Sequence, residues 1–211
     1  IFLFILFGAF LEKTGVGEFF IDLSNAIAGN KRGGPAKVAV ITSAFEGTVS
    51  GSSVANTVGS GSFTIPMMKR LGYRPEFAAA VEAAASTGGQ IMPPVMGAAA
   101  FLMAESVGVP YSVVVKAAII PALLYFAGIY IVTDLEAKKQ GLRGMDKDKM
   151  PRLLLVLKER GHLILPLVAI IYVLGAGFTP SVAALVGIGI ALFGGYMKTF
   201  VQLIAARAKG R

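Results

Sequence analysis

The chain has 211 residues, a net charge of +8, 55% hydrophobic and only 15% charged residues, and a mean hydropathy of +0.71. Soluble domains carry about 25% charged residues, so this composition argues against a soluble globular enzyme and against an intrinsically disordered chain. With no Cys and one His, the sequence offers no disulfide, no thiolate nucleophile and no cluster of histidine ligands.

Apolar runs separated by short basic clusters predict an all-helical polytopic membrane protein. Residues 1–33 predict a truncated transmembrane helix followed by an amphipathic interfacial helix, Val16–Ala28. The later predicted segments, in chain order, are a re-entrant hairpin (34–68), a broken transmembrane helix (76–107), a transmembrane helix (111–133), a basic cytoplasmic linker (134–161), two closing transmembrane helices (162–200) and a basic tail (201–211). The sequence starts at Ile1 within an apolar run, which predicts a piece of a larger membrane protein.

The re-entrant hairpin is predicted from the positive charges at both of its ends. Lys31–Arg32 precede it and Lys69–Arg70 follow it, so the positive-inside rule places both ends on the cytoplasmic side. Thirty-five helical residues would also extend about 52 Å, well beyond one crossing of a core of about 30 Å. The tip of such a hairpin must be buried in protein or line a watery cavity.

Two interruptions of the apolar pattern predict a binding site. The first is TVSGSSVANTVGSGS (Thr48–Ser62), and the second is STGGQIMPP (Ser86–Pro94). Hydroxyl, amide and unwound carbonyl oxygens suit a weakly held Na⁺, and the free amides of a half-helix end favour an anionic substrate. The alternatives are that the small residues merely allow helices to pack closely and that the prolines merely kink a helix.

Two acids lie within apolar segments, and ionisable residues there are functional candidates. Glu46 and Glu82 are predicted to lie early in their segments, toward the cytoplasmic side, although a structural pairing with Lys or backbone amides remains the alternative. The sequence contains neither a phosphate-binding P-loop motif nor a nucleophile-elbow motif, so the chain is not predicted to be an enzyme. The linker cations alternate with acids, which favours contact with anionic lipid over nucleic acid.

The run SGSSVANTVGSGSFTIPMMKRLGYRPEFAAAVEAAASTGGQIMPPVMGAAAFLMAE resembles the large membrane (permease) subunit of tripartite ATP-independent periplasmic (TRAP) transporters. The linker DLEAKKQGLRG, followed by LKERGHLILPLV, is similar to the fused form that joins the small and large subunits in one chain. The resemblance implies Na⁺-driven uptake of organic acid anions, such as dicarboxylates or sialic-acid-like compounds, across the bacterial inner membrane. A periplasmic solute-binding protein would deliver the substrate.

The resemblance also implies an elevator-type fold of two inverted repeats, each with a hairpin and a broken helix. The implied Na⁺ ligands are Ser52, Ser53 and Asn56, with carbonyls near Thr87 and Gly88. The residues implied to face the substrate are Ser50, Gln90 and the turn at Pro93 and Pro94. A second hairpin and a second broken helix are not recognisable in residues 111–211, so this chain alone is not expected to transport. A binding-protein-independent Na⁺/carboxylate symporter and a non-transporting membrane scaffold or channel are the alternative functions.

Overall fold

The computed structural model describes residues 2–146 and 150–209, and in the last helix it describes side chains as far as residue 194. The side chains of the predicted basic tail therefore lie outside the described residues. Eleven α-helices are present among the described residues: α1 (Phe2–Lys13), α2 (Val16–Ala28), α3 (Gly34–Ser50), α4 (Ser53–Gly59), α5 (Gly61–Leu71), α6 (Pro75–Gly88), α7 (Ala98–Val107), α8 (Tyr111–Lys139), α9 (Leu153–Arg160), α10 (Leu165–Gly175) and α11 (Pro180–Lys209). The predicted all-helical fold class is confirmed, and the described part of the chain contains no strand.

Helix α3 is the central element, because it packs against α1, α2, α5, α6 and α8. Gly33, in the left-handed conformation, precedes the helix, and Pro35 lies in its first turn, where a missing N–H costs nothing. Gly51, also left-handed, ends it. Most of the α3 surface is buried, although its sequence has little amphipathic character. A helix that is apolar or small all round is expected to be enclosed on all sides, as observed.

The chain reverses direction after α3. Helices α4 and α5 return along α3 and meet each other at Ser60, which ends the first and begins the second. Helix α6 then packs against α3, α4 and α5. Two apolar clusters result: one combines α3, α5, α6 and part of α8, and the other combines α1, α2, α10 and α11 with α7 and the start of α8.

One helix among the described residues, Tyr111–Lys139, is long and apolar enough to cross a membrane. It extends seven residues beyond Val132, where the apolar run ends, and its last turn carries Lys138 and Lys139, which favourably face the helix C-terminus. The predicted linker is therefore helical at both ends, since α9 also lies within it.

The linker contacts α2 and the turn after it through the ionic contacts of one arginine and through one backbone hydrogen bond. Arg160, at the end of α9, donates to Glu18 Oε2 at 3.2 Å and lies 3.6 Å from Asp22 Oδ2 on α2. The amide N–H of Met145 donates to the carbonyl of Gly29 at 2.8 Å. These contacts attach both parts of the linker to α2 and to the turn that follows it.

Candidate functional site

The turn between α3 and α4 is built by one glycine and three polar side chains. Gly51 ends α3, and the Oγ atom of Ser52 accepts a hydrogen bond from the N–H of Ala55 at 3.3 Å, capping α4. The N–H of Ser52 donates to Ser50 Oγ at 3.2 Å, and Ser50 Oγ in turn donates to Asn56 Oδ1. The polar oxygens of the turn are thus held in one short network.

The second interruption lies after α6, where a single 3₁₀ turn, Gly89–Ile91, precedes an irregular segment that ends at Gly97. The peptide bond between Pro93 and Pro94 is cis, and Met96 adopts a positive φ of 57°. The N–H of Gly97 donates to the carbonyl of Gln90 at 2.7 Å and closes the segment into a loop. A break of the predicted helix is therefore present, and it lies three residues later than the start of the predicted motif.

The two interruptions contact each other through glycines. A Cβ atom added to Gly51 would lie 1.8 Å from the carbonyl oxygen of Met96, and one added to Gly47 would lie 2.4 Å from the Cα of Gly89. Real Cβ contacts are never this short, so both positions require glycine. The Nε2 atom of Gln90 also donates to Ser53 Oγ at 2.9 Å, which links residues 37 positions apart. The predicted small-residue packing and the predicted polar site therefore occupy the same place.

Asn56 is the buried polar residue at this junction, with 2% of its surface exposed. Its Oδ1 atom accepts from Ser50, and its Nδ2 atom is buried without a hydrogen-bond partner in the described part of the chain. Most buried polar atoms in native structures have a partner, so this amide marks a place where a ligand or water completes the structure. A Cβ added to Gly89 would meet the same Nδ2 atom at 2.5 Å.

The structure brings together five of the predicted site residues: Ser50, Ser52, Ser53, Asn56 and Gln90. The polar groups of these side chains are uncharged hydroxyls and amides. The described residues include no group of three or more His, Cys, Asp or Glu that could hold a metal ion. A cation bound here would therefore be coordinated by hydroxyl, amide and carbonyl oxygens, a ligand set that suits hard cations.

Other predicted residues lie beside this junction. Thr87 is exposed, and its hydroxyl donates back to the carbonyl of Ala83 at 2.8 Å within α6. Gly88 faces α8, because a Cβ there would lie 2.6 Å from the Tyr125 ring. The residue that contacts the hairpin, at Gly47 and Asn56, is Gly89. The sequence indicates Gly89 only as a flexible residue of the second motif and not as part of the binding site.

The Pro93–Pro94 turn is held by the first residue of α8. The hydroxyl of Tyr111 lies 3.0 Å from the carbonyl oxygen of Pro94 and 2.6 Å from that of Val95, so it donates to this turn. The ring of Tyr111 stacks on Phe101 with a centroid distance of 4.2 Å and an interplanar angle of 4°. The loop that carries Gln90 is thereby fixed to both α7 and α8.

An ionic contact holds the opposite end of α3. Lys37, whose side chain is 6% exposed, and Arg32 both donate to the carboxylate of Asp134 on α8. The Lys37 ammonium also lies 5.0 Å from the centre of the Tyr130 ring. Since a buried ammonium needs a partner, this pair sets the position of α3 relative to α8.

The structure changes the interpretation of the two acids. Glu46 lies in the second half of α3, five residues before the turn at Gly51, so its predicted position early in the segment is wrong; the helix ends at residue 50, halfway along the predicted hairpin. Glu82 lies in the middle of α6 and is fully buried. Neither forms an ion pair with Lys within the described residues.

These features describe an all-helical membrane protein in which two helix interruptions pack together around neutral polar groups. The sequence matches the family described as "Tripartite ATP-independent periplasmic transporter, DctM component" over residues 1–205, and the chain belongs to this family. The resemblance to TRAP large permease subunits is thus confirmed. Because the proteins of this family are transporter components, the prediction that the chain is not an enzyme is confirmed as well.

Three relatives illustrate the similarity. The chain is 30% identical over 199 residues to the C4-dicarboxylate TRAP transporter large permease protein DctM of Pseudomonas aeruginosa, covering 94% of this chain and 45% of the relative. It is 29% identical to the isethionate TRAP transporter permease protein DctMQ of Oleidesulfovibrio alaskensis, covering 86% and 28%. It is 26% identical to the sialic acid TRAP transporter large permease protein SiaM of Vibrio cholerae, covering 90% and 44%. The chain therefore spans less than half of the length of these relatives.

Proposed function

We propose that the protein containing this chain is a Na⁺-coupled transporter of organic acid anions, and that this chain supplies one half of its ion and substrate site. The observation that carries the proposal is the contact between the two helix interruptions, which bonds Ser53 Oγ to Gln90 and leaves the buried amide nitrogen of Asn56 without a partner among the described residues. Family membership supports transport as the activity.

The Na⁺ ligands in this proposal are the hydroxyls of Ser52 and Ser53, the amide oxygen of Asn56 and carbonyls near Thr87 and Gly88. Interrupted helices expose carbonyls that are not used in helical hydrogen bonds, and such carbonyls commonly complete Na⁺ sites in transporters. The ligand set holds no carboxylate, so the ion is held weakly enough to be released in each cycle.

The substrate in this proposal is an anion that meets the amide-rich side of the junction, at Ser50, Gln90 and the Pro93–Pro94 turn. The names of two relatives refer to a C4-dicarboxylate and to sialic acid, which supports an organic acid for this protein. A periplasmic solute-binding protein delivers the substrate, as the tripartite periplasmic class implies.

The proposed setting is the bacterial inner membrane, with the α3–α5 hairpin entering from the cytoplasmic side and returning. The 17 residues of α3 extend about 25 Å, short of the full hydrocarbon core of about 30 Å. Basic residues flank the hairpin at both ends, and Gly51 and Asn56 of the polar turn are buried, with Gly51 against the second interruption. The contacts that join the hairpin to α6 favour movement of the two as one body, as in an elevator mechanism.

The test is uptake of labelled organic acids into proteoliposomes that hold the full-length protein, with and without an inward Na⁺ gradient and with and without its binding protein. Flux that requires both supports the proposal. Flux that requires Na⁺ alone supports a binding-protein-independent symporter. Ion conduction without saturable substrate dependence, or the absence of any flux from folded protein, contradicts the proposal.

The residues are tested by Ser53→Ala and Asn56→Ala, with Ser62→Ala as the matched control. Ser62 lies on the same hairpin, but its hydroxyl is exposed and donates to the carbonyl of Gly59 at 2.9 Å. Loss of one ion ligand is expected to raise the Na⁺ concentration for half-maximal uptake about tenfold, which corresponds to about 1.4 kcal/mol. If folded protein and activity fall in the same proportion with no change in Na⁺ dependence, the residues serve packing and not ion binding.

A further inference from the structure

A second polar cluster lies inside the protein, centred on the fully buried carboxyl group of Glu82 on α6. Hydroxyl groups from three directions surround it. Ser60 Oγ lies 2.7 Å and Ser86 Oγ lies 3.2 Å from Glu82 Oε1, and Thr64 Oγ1 is bonded to Oε2. Ser43 Oγ on α3 lies 3.5 Å from Oε1. Buried side chains of α3, of α5 with the preceding Ser60, and of α6 therefore converge on one carboxyl group.

This carboxyl group has no basic partner among the described residues. A second acid, Glu46 on α3, interacts with Ser60, with Glu82 and with Glu12 of α1. Its Oε2 atom is buried with no hydrogen-bond partner in the described part of the chain. The cations on the helices that contact α6 are paired elsewhere or exposed: Lys37 with Asp134, and Lys69, Arg70, Lys116, Lys138 and Lys139 at the surface. Because an isolated charge is strongly unfavourable in such surroundings, the carboxyl group needs a bound cation or proton.

Burial of Glu82 beside a second acid, Glu46, favours a proton, and the hydrogen bonds around Glu82 can accommodate one. Ser60 Oγ is within hydrogen-bond distance of two acceptors, the carbonyl of Asn56 at 2.8 Å and Glu82 Oε1. Thr64 Oγ1 is likewise near the carbonyl of Ser60, at 3.0 Å, and near Glu82 Oε2. Both carbonyls already accept a backbone N–H group, from Ser60 and from Thr64 at 2.9 Å each, so a hydroxyl hydrogen is a second and optional partner for them. A proton on Glu82 allows the acid to donate to one hydroxyl, which then donates to its backbone carbonyl.

The spacing of one pair of oxygens is too short for both to coordinate the same metal ion. The distance of 2.7 Å between Ser60 Oγ and Glu82 Oε1 is that of an O–H···O hydrogen bond. Two oxygens that coordinate one hard cation at about 2.4 Å and at nearly right angles lie about 3.4 Å apart. The Ser60–Glu82 pair is therefore spaced for a hydrogen bond, whereas the 3.2 Å and 3.5 Å distances of Ser86 and Ser43 fit a hydrogen bond or a shared cation, and the Na⁺ arm of the test separates the two.

We propose that Glu82 is a proton-binding site in the interior of this protein, in which a neutral carboxyl group joins α3, α5 and α6 through their hydroxyl side chains. This site is separate from the proposed Na⁺ ligands and does not depend on the proposed transport function. Its three surrounding helices isolate the proton from solvent, and a separation of α5 from α6 would expose Glu82 and allow the proton to leave.

The test is infrared spectroscopy of the purified full-length protein at neutral pH in H₂O and in D₂O. A protonated carboxyl group gives a C=O stretching band that is absent from carboxylates and that shifts on deuteration. The band is expected in the unmodified protein, is expected to be lost in Glu82→Gln, and is expected to persist in Glu105→Gln, the matched control on an exposed acid of α7. The amide of Gln has the size and neutrality of the protonated acid, so Glu82→Gln is expected to fold.

The assignment to Glu82 is overturned if the band is absent from the unmodified protein, if it persists in Glu82→Gln, or if it is lost in Glu46→Gln instead. It is also overturned if Glu82→Gln fails to fold, because a neutral side chain of the same shape should be accepted. The proton assignment is also overturned if Glu82 binds Na⁺ instead. In that case the thermal midpoint of the unmodified protein rises with Na⁺ but not with choline, and the midpoint of Glu82→Gln does not respond to Na⁺. If the thermal midpoint of Glu82→Gln still rises with Na⁺, the ion binds elsewhere, as expected from the proposed Na⁺ site. The proton assignment is then supported by the infrared band alone, provided that Glu82→Gln loses this band and Glu105→Gln keeps it.

Discussion

The contact between the two interruptions predicts a large and specific effect of Gly51→Ala. Gly51 ends α3 with φ 58°, so any side chain there costs about 1–2 kcal/mol for the left-handed conformation alone. The added Cβ would also lie 1.8 Å from the Met96 carbonyl oxygen and 2.5 Å from its carbon. Restoring an ordinary contact requires the loop to move by about 1.4 Å, and overpacking of this kind typically costs about 1–3 kcal/mol. The expected total loss in the free energy of unfolding is about 2–5 kcal/mol.

The matched control is Gly108→Ala. Gly108 also ends a helix, α7, with φ 72°, but a Cβ there meets no atom within 4 Å. The expected loss is therefore about 1–2 kcal/mol, from the backbone conformation alone. The measurement is denaturant-induced unfolding of the full-length protein in mixed micelles, followed by the helical circular dichroism signal. If the two substitutions destabilise the protein equally, the two interruptions are not in the tight contact described, and the candidate site loses its structural basis.

Two further predictions concern the residues that hold this region in place. Asp134→Asn removes the partner of the buried Lys37 ammonium and is expected to lower the thermal midpoint more than Glu76→Gln, which breaks an exposed pair with a distance of 3.8 Å; equal shifts would contradict a positioning role of the pair. Tyr111→Phe keeps the aromatic stacking but removes the hydrogen bond to the proline turn, so a loss of about 1 kcal/mol in unfolding free energy is expected, compared with none for the exposed Tyr172→Phe.

The order and type of the helices could be predicted from the sequence because those features depend on local patterns. Apolar run length, Gly and Pro positions and basic clusters are readable directly, and α2 begins and ends at the predicted residues, Val16 and Ala28. The position at which α6 ends is harder to predict from the sequence. Gly88 is still helical, and the rings of Tyr125 and Phe126 pack directly against its backbone, where a side chain would not fit. This tertiary contact cannot be recognised from a local sequence pattern. The helix therefore continues past the first residues of the predicted break.

The candidate site was predicted as two separate motifs, and their contact could not be derived from either one. Spacing along the chain shows that Ser53 and Gln90 each lie in an interruption, but their hydrogen bond depends on how α3 and α6 are rotated against each other. The close approach of Gly47 to Gly89 sets that rotation. Gly47 is four residues before Gly51 in the sequence, which is a spacing typical of close helix packing, but this spacing does not show which helix packs against it.

Part of the Glu82 cluster can be predicted from the spacing of polar residues in the sequence. Ser60 and Thr64 are four residues apart, and so are Glu82 and Ser86, so each pair lies on one face of its helix. Four-residue spacing of polar groups in an otherwise apolar helix indicates a polar stripe along one face. Two such stripes in neighbouring segments can form hydrogen bonds with each other when the helices pack. A buried acid in such a pair can be satisfied by hydroxyl groups together with a proton, because neither introduces a second buried charge. The same stripe also reaches Glu46, which interacts with Ser60 and with Glu82, although the Oε2 atom of Glu46 is buried without a hydrogen-bond partner among the described residues.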